Sequence, residues 1–146
     1  MLSNSCRYGI RAVIYLASQP KSAGKTGIKK ISSDLDLPTP FLAKILQQLA
    51  KRKILSSTKG PHGGFSLLTD PKKITLYDIV ITIDGDKIFT DCIMHDGPCP
   101  GDDMSYKHCP LHEDYSKTQN DRINLFRSKT IYDLVKRVRN KDLFTI

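Results

Sequence analysis

Apolar residues recur at three- and four-residue spacing along most of this chain, and one stretch switches to a strand-like pattern. Ile10, Val13, Ile14 and Ala17 form the first stripe and predict a helix from Cys6 to Ser18. Gln19-Pro20 ends it, because the residue before proline avoids helical backbone. A loop over 21–27, rich in Lys, Ser and Gly, leads to a short helix over Ile28 to Leu35, with Ile31 and Leu35 facing inward. Thr39 has the character of an N-cap and Pro40 that of a first helical residue. The helix they open carries Leu42, Ile45, Leu46 and Leu49 on one side and Lys44, Gln47, Gln48, Lys51 and Arg52 on the other.

The period then changes. Leu55 to Lys59 and Phe65 to Leu68 predict two short strands around a glycine-rich turn, Gly60-Pro61-His62-Gly63-Gly64. Thr75 and Asp78 form a capping box ahead of a helical face of Leu76, Ile79, Val80 and Ile83, and Asp84-Gly85-Asp86 stops it. From residue 86 to 108 the chain is polar and rich in Gly, Pro and Asp, which predicts a long irregular loop of the kind that carries function. Pro110 opens a helix to about Phe126 or Arg127, and Thr130 with Asp133 caps another bearing Ile131, Leu134, Val135 and Val138. The pattern divides into a first unit over 1–85, a cysteine-bearing loop over 86–109 and helices over 110–146, mainly α with one small β-hairpin.

Charge sharpens this picture. Residues 1–60 hold eleven lysines and arginines against two acids, Asp34 and Asp36, a balance of +9, whereas the remainder of the chain sums to −1. A cationic field confined to one module is what a polyanion binder shows. No apolar run has the length of a signal peptide or a membrane span, so a cytoplasmic protein with reduced thiols and no membrane partner is expected.

Two short helices followed by a glycine-tipped hairpin spell a winged helix-turn-helix. In that arrangement the second helix enters the major groove of double-stranded DNA. Thr39, Pro40, Ala43 and Lys44 would reach base edges, with Gln47 and Gln48 further along the groove. Glutamine pairs bidentately with adenine, and lysine contacts guanine or phosphate. Lys59, His62, Gly63 and Gly64 would lie along phosphates or the minor groove, and Tyr8 and Arg11 would add backbone contacts.

The loop supplies different chemistry. Cys92, Cys99 and Cys109 lie within it, and His112 follows at Cys-x-x-His spacing. With Pro110 as the first helical residue, Cys109 would sit at the N-cap, where the positive helix end favours a thiolate. Thiolates with imidazole suit iron–sulfur or zinc, and six and nine intervening residues make a loose clasp rather than a structural zinc knuckle. Three unmetallated thiols acting as a redox sensor remain open at this point.

Leu37-Pro38-x-x-Phe41-Leu42-x-x-Ile45-Leu46, Lys59-Gly60-x-x-Gly63-Gly64-Phe65, Ile74-Thr75-Leu76-x-Asp78-Ile79 and Asp84-Gly85 resemble the IscR/NsrR-type (Rrf-two) family of bacterial regulators, over nearly the whole chain from Arg7-Tyr8-Gly9 onward. The resemblance implies a homodimeric winged-helix repressor or activator acting on an operator. It also implies a dimer built by the helix after the loop, and a [2Fe–2S] cluster on the three loop cysteines, which aerobic handling can strip. The fourth ligand of some members maps onto His112. The acidic residue that others use is replaced here by Arg7. Leu111, Tyr115, Ile123, Leu125 and Phe126 are the candidate dimer contacts. The alternatives are a cluster-free or zinc-binding regulator responding to a thiol or a protein partner and, more remotely, a small iron–sulfur electron carrier. Ferredoxin-like chains supply tighter cysteine spacing and need no basic reading head. No phosphate loop, Ser-His-Asp order or paired-carboxylate motif points to an enzyme.

Overall fold

The computed structural model describes residues 1–94, 96–98 and 109–138. The first helix, α1 (Asn4–Ser18), begins two residues before the expected Cys6, because Ser3 is a better cap: its hydroxyl accepts the Cys6 N–H at 3.0 Å. After a 3-10 turn at Lys21–Ala23 come α2 (Ile28–Leu35), α3 (Thr39–Lys51), and the antiparallel strands β1 (Leu55–Thr58) and β2 (Gly64–Leu67). Leu55 faces Leu67 and Thr58 faces Gly64, so Lys59 belongs to the turn rather than to the strand. The capping box of Thr75 and Asp78 opens α4 (Leu76–Ile83) as expected.

The expected irregular loop contains one more helical turn, α5 (Lys87–Thr90), held by the buried Phe89. Phe89 stacks on Tyr77 of α4 at 5.0 Å between ring centroids and meets Phe126 edge-on at 5.4 Å. Phe126 lies on α6 (His112–Ser128), which starts two residues later than Pro110, so Cys109 is not the N-cap; Leu111 holds that position. A second capping box, Thr130 with Asp133, opens α7 (Ile131–Arg137), and the Thr130 bonds hold the Asp133 carboxyl below its ordinary range.

One core runs through α1, α2, α3, the hairpin and α4, with Val13, Ile31, Leu35, Leu42, Leu46 and Leu49 fully buried. Each such side chain contributes about 1.5–3 kcal/mol. Helix α7 belongs to this core and does not stand with α6 as a separate pair. Ile131 is fully buried, its N–H donates to the Ile74 carbonyl at 2.8 Å, and α7 packs on α1. A second core joins Cys6, Val80 and Phe89, with Ile123 and Phe126 of α6 packed against it. Cys6 is wholly buried beside Asp84, and burial, followed by that negative charge and a shared hydrogen bond, pushes its thiol up to about 12. It is therefore a protonated core residue, separate from the loop cysteines. Among the described residues no helix is long and apolar enough to cross a membrane.

Candidate nucleic-acid interface

The turn between α2 and α3 fixes how α3 is presented. Asp36 adopts the left-handed region at φ 51°, which a short polar side chain tolerates, and the Leu37 N–H closes back on the Ser32 carbonyl at 3.0 Å. The Ser32 hydroxyl bonds to the Leu37 carbonyl at 2.5 Å and lies 2.7 Å from the Thr39 hydroxyl. Pro38, not Thr39, is the N-cap of α3, because the Thr39 hydroxyl is engaged sideways with α2. This tie makes Thr39 half-buried and orients one flank of α3 towards α2.

With Leu42, Ile45, Leu46 and Leu49 turned into the core, Pro40, Phe41, Lys44, Gln47, Gln48 and Lys51 are left exposed, and Ala43 is half-buried. Among the described residues the only ion pair is Lys30 with Asp34 at 3.0 Å, so Lys44, Lys51, Arg52 and Lys59 carry uncompensated charge. Phe41, an aromatic one position before the buried stripe, is 59% exposed on the same outward side and is not one of the candidate contacts read from the sequence.

The wing is docked by its glycines. Gly64 sits at φ 147°, and a side chain there would collide with the backbone of Thr26 and lie 2.9 Å from the Gly27 nitrogen. That approach lets Thr26 and Phe65 exchange two backbone bonds, both 2.9 Å, so an antiparallel bridge ties the segment before α2 to the hairpin. Lys25 adds bonds from its Nζ to the hydroxyls of Ser56, at 3.1 Å, and Thr58. Gly63 turns tightly, its N–H donating to the Gly60 carbonyl at 3.0 Å, and leaves Lys59 and His62 exposed at the tip. On α1, Tyr8 is half-buried against the core, and Arg11 donates from Nη2 to the Leu35 carbonyl at 2.9 Å. Arg11 thus satisfies the end of α2, and its Nε is buried without a partner.

Of the candidate ligands, Cys92, Cys109 and His112 line one small crevice with Ile93, Leu111 and Tyr115. Cys99 lies outside the described residues. The Cys92 sulfur receives the Met94 N–H at 3.4 Å, and its own N–H donates to the Gly97 carbonyl at 2.8 Å across a turn in which Gly97 has φ 94°. The His112 N–H donates to the Cys109 carbonyl at 3.2 Å. Two half-buried thiols and an imidazole around one crevice are donors of the kind that hold iron–sulfur or zinc. Among the described residues no three His, Cys, Asp or Glu side chains yet converge on one point.

A helix-turn-helix with a cationic outward helix and a wing docked beside it defines a winged-helix DNA-binding protein. Residues 2–137 match the family described as Rrf2, iron-dependent transcriptional regulator, and the chain belongs to that family of transcription regulators. A chain of Aquifex aeolicus named provisionally as an HTH-type transcriptional regulator is 31% identical over 146 residues, covering 100% of this chain and 98% of its own. The HTH-type transcriptional regulator IscR of Photorhabdus laumondii is 27% identical over 145 residues, covering 99% and 83%. Among solved structures, CymR, the global cysteine regulator of B. subtilis, superposes with a TM-score of 0.75 at 23% identity, over 94% of this chain and 97% of its own. The IscR of T. potens gives 0.72 at 22%, over 95% and 88%. These two likenesses bear on the fold.

Proposed function

We propose that a homodimer of this chain binds a two-fold operator, each α3 entering a major groove and each wing lying along the adjacent backbone. We further propose that Cys92, Cys99, Cys109 and His112 hold a [2Fe–2S] cluster whose presence changes the grip. The observation that carries the DNA reading is the exposed, unpaired cationic stripe of α3, set against a fully buried apolar one. Exposed Leu111, the N-cap of α6, and Leu125 on that helix, at 41% and 52%, suit the dimer contact, whereas Ile123 and Phe126 are used inside the protomer. Tyr115 is half-buried beside the thiol crevice.

A bound cluster would supply an oxidisable centre at the loop; the chain's own residues carry the effect onward. Gln119 of α6 donates to the Asp91 carbonyl at 2.9 Å, next to Cys92. Phe89, three residues before Cys92, is wedged between Tyr77 and Phe126. Helix α4 in turn packs on α1 and α3, with the Ile83 and Ile45 side chains meeting at Gly9. Reordering around Cys92 thereby biases the seat of the reading helix, by as much as the cluster prefers one arrangement over the other. Zinc on the same ligands, or unmetallated thiols, is the second reading, because the thiols and imidazole that line the crevice suit zinc as well as iron–sulfur.

The test is a gel shift on a duplex selected from a randomised pool, using anaerobically reconstituted, apo and Cys92→Ala protein. Reconstituted protein is expected to differ from the other two by about 5- to 150-fold, the usual range of coupling between sites. Equal affinity in all three removes the switch and leaves the DNA reading standing. No selectable duplex at all removes both.

A further inference from the structure

We propose that Phe41 reads a thymine in each half-site through the C5 methyl group, an inference that rests on α3 being the helix that enters the groove. Phe41 is in the first turn of α3 and is 59% exposed, although the core beneath it is closed by Leu42 and Ile45. It stands on the flank away from Thr39, whose hydroxyl is tied to Ser32 of α2. Lys44 and Gln48 follow it at three- and four-residue steps, so the three side chains form one row along the helix. Helical side chains tilt towards the N-terminus, which carries the Phe41 ring to the end of α3 that goes deepest into the groove.

A phenyl ring has neither donor nor acceptor, so it cannot use the hydrogen-bond pattern of base edges. The one apolar group in the major groove is the thymine methyl. Pro40 beside it, also exposed, extends the apolar end of the row. The row would then read a thymine at its head and place Lys44 and Gln48, with their polar ends, on the neighbouring base pairs.

The experiment uses full-length protein and the selected duplex, resynthesised with deoxyuridine in place of each thymine in turn, so that only a methyl is removed. Wild-type protein is expected to lose about fourfold in affinity per half-site at one thymine, the worth of roughly one buried methyl. Phe41→Ala is expected to bind the thymine and uracil duplexes equally, with an unchanged salt slope, and Phe41→Leu to keep part of the preference. Wild-type binding that ignores every methyl overturns the inference while leaving the DNA reading intact. A uracil penalty that persists in Phe41→Ala also overturns it. Failure of wild-type protein to bind any duplex overturns the reading beneath it as well.

Discussion

Gly64→Ala is expected to lower stability by about 3–5 kcal/mol and to cut DNA affinity by roughly tenfold or more. The backbone there has φ 147°, a region nearly reserved for glycine, and holding another residue in it costs about 1–3 kcal/mol. The added carbon would also enter the space of the Thr26 backbone, so both 2.9 Å bonds between Thr26 and Phe65 would lengthen or break, at roughly 1 kcal/mol each. The wing would come away from the segment before α2 and no longer hold Lys59 and His62 at a fixed distance from α3. Gly60→Ala is the matched control. Gly60 also has a positive φ, of 107°, but open space surrounds it, so only local strain is expected. Urea midpoints and gel shifts on both variants make the comparison. Equal stability loss at the two positions would show that docking against Thr26 does not hold the wing.

Lys44→Glu should weaken binding to the selected duplex by roughly 100-fold at low salt while leaving the urea midpoint unchanged. Lys44 lies at the outward centre of α3, is exposed, and pairs with no acid among the described residues. Removing one such contact costs about 1–3 kcal/mol of binding, and the reversed charge adds repulsion from phosphates. Salt screens that repulsion, so the gap from wild type should narrow as ionic strength rises. The neutral variant Lys44→Ala should flatten the dependence of log K on log salt by about one charge if the ammonium sits on a phosphate. Equal affinity of Lys44→Glu and wild type at low salt would place Lys44 away from the nucleic acid.

Much of the winged helix-turn-helix was visible in the order of residues because its determinants are local. The stripe Leu42, Ile45, Leu46, Leu49 turns α3 regardless of what surrounds it, and the capping boxes at Thr75 and Thr130 mark helix starts by side chains three residues away. What escaped depends on distant partners. Thr39 looks like a cap until Ser32 of another helix claims its hydroxyl. Arg11 looks like a free cation, but the end of α2 uses it. Helix α5 is a single turn in a polar stretch, and only Phe89, meeting Tyr77 and Phe126, gives it a reason to form. The docking of α7 rests on the Ile74–Ile131 and Leu76–Lys129 backbone bonds, which no periodicity encodes. Cys92, Cys109 and His112, singled out by their spacing, line one crevice, whereas the Met94 N–H directed at one sulfur has no signal in the sequence.

In the proposed complex, duplex DNA meets α3 and the wing. Amide hydrogen exchange of the full chain, with and without the selected duplex, tests it most directly. The account predicts new protection concentrated in residues 39–52 and 59–65. Protection confined to α6, with those two segments exchanging as in the free protein, would contradict it.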